Sequence, residues 1–476
     1  MNDSIMCRKG AYKKSYQYVI EVIVNWVHKE LRVFMKVKKE KKKLKWWQVV
    51  LRILLVLLII FCVFIGFSVF TIRKFTGDSL GLRGTMAMVG YGGIEMPMWY
   101  QKIVLGNDHE YENLPEIFVN NEGKEVTNKR GYAARREEML DLYEEYMYGE
   151  TPSEGYDMDT EILEEGEALD GKAHRQQVKI IITTDKGSKD FIMLVYTPTN
   201  KEKYGMFVGE NFGGNTSILN DENILPSNVQ DKDNLTYGGD PWQVEQIIDS
   251  GYGVATTDYL DWAEDTPADF QKNLLEIFPE SNATAFSAWS FGYMRMIDYL
   301  CNQPQVDENK IATFGHSRLA RVSLWTAAQD DRVDLAISSC GGGMIRSDVS
   351  GRIVKDGTSD HWFTSKYFEY TDRDSEIPVD SNMLFAMIAD RCVFVSMGNA
   401  DLASDPSSTV DALQNAKAVW KNIYGKEVLD DFHYFDLELN KARVSESQGI
   451  YLHQGGHKVM DEDWEQYISY MDKYVK

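Results

Sequence analysis

Between Lys310 and Gly343 the chain changes character twice in quick succession. The apolar run Ile311 to Phe314 stops at Gly315-His316-Ser317-Arg318, and from Leu319 to Ala328 apolar residues return at helical spacing. This pattern predicts a short strand that turns abruptly into a helix, with Ser317 on the turn. A hydroxyl placed there projects above the sheet, and the first amides of the helix lie ready for an oxyanion. Leu319 stands where the second glycine of a Gly-x-Ser-x-Gly elbow belongs, so the motif is incomplete. An ordinary strand-to-helix turn carries the same local signature.

The same alternation continues on both sides. Met206 to Asn211 reads as strand and Pro241 to Ser250 as helix; Gly253 to Asp258 as strand and Ser287 to Cys301 as helix. Asp334 to Ser339 and Cys392 to Met397 add two strands, and Ser407 to Tyr424 and Glu462 to Tyr474 two helices. Earlier, Tyr132 to Tyr148 reads as a helix with an acidic face, closed by Gly149 and Pro152. Gln176 to Thr184 and Phe191 to Thr197 read as a hairpin across Asp185-Lys186-Gly187-Ser188. Strands alternating with helices predict an α/β three-layer sandwich with a mostly parallel central sheet.

Ahead of this body, Ile53 to Ile72 is a twenty-residue run without a charge, enough to cross a bilayer as a helix. The lysine-rich stretch Lys36 to Lys45 and the pair Trp46-Trp47 precede it, and only Arg73 and Lys74 follow closely. The positive-inside rule predicts a basic cytoplasmic tail (1–52), a transmembrane anchor (53–72), a linker (73–112) and an extracellular catalytic domain (113–476) of a single-pass protein in the cell membrane. A cleaved signal peptide is the rival reading, opposed by the length of the run and the lack of a small-x-small site after it. Residues 1–74 hold sixteen Lys and Arg against four Asp and Glu; with −22 for the whole chain, residues 75–476 carry −34. So acidic a body excludes nucleic acid as a partner.

In a parallel sheet the chemistry gathers at the carboxyl ends of the strands. His457, in Leu452-His453-Gln454-Gly455-Gly456-His457, follows the last strand-like run and satisfies the order serine, acid, histidine. His453 is the alternative base, His316 a packing neighbour of the serine, and His361 a candidate for the cleft wall. The acid belongs after the strand Cys392 to Met397, where Asp401, close to the strand end, is favoured over the alternative Asp405, which precedes Pro406 and equally suits a helix N-cap. Asn211 and Asn215 follow a central strand and suit either turn formation or the oxyanion side of the cleft. Cys301, Cys340 and Cys392 are odd in number and lack Cys-x-x-Cys spacing, so they read as small core residues. No metal or cofactor is implied.

Taken together, Ser287-Ala288-Trp289-Ser290-Phe291-Gly292-Tyr293, Val306-Asp307, Gly315-His316-Ser317-Arg318, Gly209-Glu210-Asn211-Phe212-Gly213-Gly214-Asn215, His361-Trp362-Phe363, Asp401 to Pro406 and Gly455-Gly456-His457 resemble the glucuronoyl esterases. These are α/β-hydrolases that cleave esters between 4-O-methylglucuronic acid on xylan and lignin alcohols. The resemblance spans roughly residues 113–475. It implies Ser317 as nucleophile, His457 as base, Arg318 as oxyanion stabiliser through amide and guanidinium, and Arg321 and Trp362 as substrate contacts. The family motif Gly-x-Ser-Arg-x-Gly-Lys is altered here: Ala320 replaces its glycine and Arg321 its lysine. Arginine keeps the charge but presents a wider planar fork, so ring recognition is expected to differ. The Glu that many members carry after the next strand is missing from Ser338-Ser339-Cys340-Gly341-Gly342-Gly343, which directs attention to the Asp401/Asp405 loop. The expectation is a membrane-anchored extracellular serine esterase acting on glucuronic-acid-bearing polysaccharide esters. The alternatives are a polysaccharide acetyl esterase of the same fold and a triad-impaired carbohydrate-binding protein.

Overall fold

The computed structural model describes residues 96–106, 111–228, 241–347 and 359–475, with Leu54, Met86, Ala87, Val349 and Ile353. The expected tail and, apart from Leu54, the expected anchor at 53–72 lie outside the described residues. Among the described residues no helix is long and apolar enough to cross a membrane.

Ten strands form one sheet: β1 (Asp157–Ala168), β2 (Ala173–Thr184), β3 (Gly187–Pro198), β4 (Tyr204–Asn211), β5 (Gly253–Asp258), β6 (Val306–His316), β7 (Leu335–Ser339), β8 (Cys392–Gly398), β9 (Arg443–Val444) and β10 (Gln448–His453). Their order across the sheet is β1-β2-β3-β5-β4-β6-β7-β8-β10-β9. The middle is parallel, from β5 through β4, β6, β7 and β8 to β10. Both flanks are antiparallel: β1 to β2, β2 to β3, β3 to β5, and β10 to β9. The centre of the sheet is parallel as expected, and its antiparallel flanks make the whole sheet mixed.

Helices cover both faces: α1 (Lys129–Tyr143), α2 (Val244–Asp249), α3 (Ala285–Cys301), α4 (Arg318–Gln329), α5 (Ser381–Ile388), α6 (Pro406–Ala416) and α7 (Asp461–Tyr474). The strand period of two divides the core between them. Met206 and Val208 of β4 join Trp289, Leu324 and Leu384 from α3, α4 and α5. Phe207, between them in sequence, joins Ile247 and Trp464 from α2 and α7, with its ring 5.4 Å from that of Trp464. Because both faces are covered, every residue of β4, β5, β7 and β10 is buried. Truncating a fully buried aromatic such as Trp464 costs about 3–5 kcal/mol in sites of this kind.

Several elements escaped the sequence reading, among them α5, β9 and the two that follow. β1 has an acidic, largely exposed face, and Arg175 of β2 anchors it through Glu164. A short helix, Met98–Leu105, stands inside the stretch expected to be linker. Elsewhere the expected helix Tyr132 to Tyr148 begins at Lys129 and ends in a wider turn, Glu144–Tyr148. The expected helix Ser407 to Tyr424 is α6 followed by a separate turn, Val419–Tyr424.

Candidate active site

β6 ends at His316, and α4 begins at Arg318. Ser317 between them has φ 58° and ψ −123°, a conformation that costs about 1–3 kcal/mol for a residue with a side chain. Neighbours hold it there: the Ser317 amide donates to Ser339 O at 2.8 Å, and Ala320 N donates to Ser317 O at 3.1 Å. The turn is so tight that a Cβ on Gly315 would lie 1.9 Å from Leu319 O, so only glycine fits. On the other side a Cβ on Gly341 would lie 2.7 Å from Ala320 Cβ and 2.8 Å from Ser317 O. The methyl group of Ala320, where the family motif has glycine, therefore occupies room left by Gly341.

Ser317 Oγ stands 2.8 Å from His457 Nε2, and His457 Nδ1 stands 2.7 Å from Asp401 Oδ2. Both side chains are removed from water, His457 at 6 % exposure and Asp401 at 1 %. With the Nδ1 proton given to Asp401, Nε2 is the acceptor for the serine hydroxyl. Ser404 Oγ adds a contact to Nδ1 at 2.9 Å. His457 reaches this position because Gly398 ends β8 without a side chain: a Cβ there would lie 2.3 Å from Gly456 O.

The competing residues are occupied elsewhere. Asp405 caps α6 by accepting from Ser408 N at 3.1 Å and takes a second hydrogen bond from Ser347 Oγ. His453 Nδ1 pairs with Asp463 Oδ1 at 3.0 Å, joining β10 to α7. His316 packs its ring 4.7 Å from that of His457. Burial, with His457 and His453 nearby, holds its pKa well below the ordinary value, so it stays neutral. Asn211 and Asn215 are fully buried and hydrogen-bonded to each other at 2.9 Å; Asn215 also donates to Ile192 O and Asn211 to Thr256, so they fix the loop after β4.

Arg318 heads α4, and its guanidinium is held on three sides. It forms an ion pair with Asp265 and lies 5.0 Å from the centre of the Trp362 ring and 5.8 Å from that of Phe212. Asp265 is a hub that the sequence did not reveal. Its Oδ1 accepts from Trp362 Nε1 at 2.7 Å and from His361 Nε2 at 2.8 Å, and its Oδ2 from Tyr259 at 3.2 Å. Burial, partly opposed by Asp360 and reinforced by Arg318, lowers the His361 pKa to about 4, so this ring is a neutral donor at physiological pH. Arg321, one turn further along α4, is half-buried beside Tyr143, Tyr148 and Tyr367 and partly offsets the upward push that burial gives their phenols.

A strained serine at a strand-to-helix turn, hydrogen-bonded in series to a histidine and a buried carboxylate, with a fixed guanidinium alongside, is suited to acyl transfer. Comparison with known proteins narrows the family. A family model described as glucuronyl esterase of fungi matches residues 235–424. Carbohydrate esterase MZ0003, from an unknown prokaryotic organism, is 33 % identical over 404 residues, covering 76 % of this chain and 89 % of that protein. The chain belongs to the glucuronoyl esterase family. A promiscuous CE15 esterase from a marine bacterial metagenome superposes with a TM-score of 0.69 at 30 % identity, over 78 % of this chain and 98 % of that one. The glucuronoyl esterase from Solibacter usitatus gives 0.68 at 28 %, over 77 % and 98 %. As a glucuronoyl esterase relative, the chain is a carboxylic ester hydrolase with the α/β-hydrolase fold.

Against that family, the missing Glu after β7 has a physical counterpart. Cys340 occupies that region, with φ 54°, and its sulfur lies within 4.8 Å of the ligand-type atoms of Asp401 and His457. Burial first, and the charge of Asp401 next, raise its pKa well above the ordinary thiol value. Cys340 is buried and thus packs as a small side chain beside the carboxylate.

Proposed function

We propose that this protein hydrolyses esters of glucuronic acid, including its 4-O-methyl form, borne on xylan or related polysaccharide, through a Ser317-His457-Asp401 triad and an acyl-enzyme. The observation that carries this reading is the continuous hydrogen-bonded series from Asp401 through His457 to Ser317. His457 takes the Ser317 proton as Oγ attacks the ester carbonyl, and Asp401 stabilises the imidazolium that forms. The Arg318 amide and guanidinium meet the charge that develops on the carbonyl oxygen. His457 then protonates the leaving alcohol, and water attacks the acyl-enzyme by the same proton route in reverse. Arg321 and Trp362 contact the uronate ring, with Arg321 replacing the lysine of the family motif. The apolar run 53–72 and its basic N-terminal flank support a single-pass anchor with the catalytic domain outside the cell.

The test is hydrolysis of benzyl glucuronate and of an acetyl ester by the full chain in detergent, beside its Ser317→Ala variant. Uronate-ester turnover that vanishes in the variant is expected. Turnover confined to the acetyl ester, the broader esterase chemistry suggested by the promiscuous relative, would replace the substrate assignment. Binding of glycan without hydrolysis of either ester would overturn the catalytic reading.

A further inference from the structure

Three of the most exposed large apolar side chains among the described residues, Trp99 at 64 %, Met98 at 56 % and Ile103 at 51 %, lie on the one short helix Met98–Leu105. With the exposed Pro97 and Lys102 they make a single face, because positions 98 and 102, and 99 and 103, are neighbours one turn apart. The opposite face is built into the domain. Val104 and Leu105 are fully buried in the core, Tyr100 Oη donates to Met86 O at 2.8 Å, and Gln101 Nε2 donates to Met96 O at 2.8 Å. The helix also packs against the turn Leu402–Ser404, which follows Asp401 and places Ser404 Oγ 2.9 Å from His457 Nδ1. The apolar face is thus carried at the triad's end of the sheet.

Size, reach and charge together specify what covers this face. Its area is about 400 Å², half of what one partner brings to an ordinary protein–protein interface, so a second copy gains too little from it. A bilayer needs less, because a face tethered to a membrane meets it at high effective concentration. Only residues 73–85 separate the apolar run 53–72 from Met86, which is held beside the helix by Tyr100. Fully extended, that stretch reaches no further than about 50 Å. Tryptophan with aliphatic neighbours is the composition of a face that lies in the headgroup boundary, and the stem of Lys102 can carry its ammonium up to a lipid phosphate. Charge is not the driving force, since residues 75–476 carry −34 and an anionic leaflet repels them.

We propose that the face formed by Pro97, Met98, Trp99 and Ile103 inserts into the outer leaflet of the bilayer that holds the anchor, giving the catalytic domain a second contact with the membrane. The inference rests on the anchor reading for the presence of the bilayer, and on the helix for the contact. Two contacts, anchor and helix, give the triad a set height above the lipid, where a single tether gives none.

The test is hydroxyl-radical footprinting of the full chain in phosphatidylcholine nanodiscs, since Met98 and Trp99 are themselves readily oxidised. Wild type is compared with Ile103→Asp, which puts a charge on an exposed position of the face, and with a chain carrying about sixty added Gly and Ser residues between Thr76 and Gly77, which dilutes the face about tenfold at the bilayer. Oxidation of Met98 and Trp99 is expected to be about fivefold or more slower in wild type than in either altered chain, and equally slow in high salt. Leu439, exposed on another segment, is expected to oxidise at one rate in all three. Equal oxidation of Met98 and Trp99 in the three chains overturns the docking. So does protection that survives the longer tether and rises with the number of chains per disc, which would assign the face to a second copy. A chain that alkaline carbonate strips from bilayers would remove the anchor reading and the docking with it, whereas a firmly inserted chain with equal oxidation removes the docking alone.

Discussion

Asp401→Asn and Asp405→Asn separate two carboxylates that lie four positions apart in the chain and do different work. Asp401 Oδ2 is 2.7 Å from His457 Nδ1 in a site with 1 % exposure, so water cannot replace the lost charge. An asparagine there either donates to Nδ1 and forces the wrong tautomer, or accepts from it and leaves the imidazolium uncompensated. Loss of the acid from such a triad lowers kcat by roughly 10³–10⁴, or about 4–5 kcal/mol of transition-state stabilisation. Asp405 holds Ser408 N at 3.1 Å and Ser347 Oγ, and asparagine keeps most of a helix cap. Its replacement is expected to cost about 1–2 kcal/mol of folding stability through the weakened buried hydrogen bonds, with kcat per folded molecule within about threefold of wild type. The assay is benzyl glucuronate hydrolysis, normalised to active sites by a serine-directed titrant, beside chemical denaturation. A collapse of kcat in Asp405→Asn, or an Asp401→Asn chain that turns over normally, would refute the assignment.

Asp265→Asn should lower kcat by about 10–100-fold with a smaller change in KM, because a loosened guanidinium loses part of what an oxyanion donor supplies. An unchanged kcat alongside a lowered melting temperature would make Asp265 purely structural. For pH, the folded-state pKa of His361 lies below its unfolded value, so the unfolded chain binds the extra proton between about pH 4 and 6.5 and stability from this group falls as pH drops through that window. The full shift corresponds to roughly 3 kcal/mol. Asp334, raised to about 6 by burial, contributes with the opposite sign in the wild type. The difference between wild type and His361→Gln therefore isolates the histidine; parallel denaturation curves from pH 7 to pH 4 would contradict it.

The elbow was legible because it is local: strand, glycine, serine and helix follow one another within a dozen residues. His457 was legible from chain order and the glycines before it. The preference for Asp401 over Asp405 rested only on its nearness to the strand end, since both follow β8 and three-dimensional placement alone sends one to the histidine and the other to Ser347. Asp265 was invisible for a related reason. It stands in an irregular loop, and its partners Arg318, His361 and Trp362 come from far along the chain. The acidic strand β1 was missed because its outer face is set by ion pairing with β2 rather than by apolar alternation. The antiparallel flanks were read too weakly beside the parallel alternation, so the sheet looked more uniform in sequence than it is.

The close approach of Gly341 to Ala320 and to the Ser317 carbonyl binds two distant stretches of sequence into one unit of inheritance. A chimera that takes the elbow from this chain and the turn after β7 from a relative with a side chain at 341 would push directly on the backbone of the serine. The reverse exchange, bringing a glycine to 320 while keeping Gly341, would leave an unfilled space behind the same residue. Segments 315–321 and 338–343 are thus best exchanged together, and recombination breakpoints among such enzymes are expected to fall outside the interval that spans them.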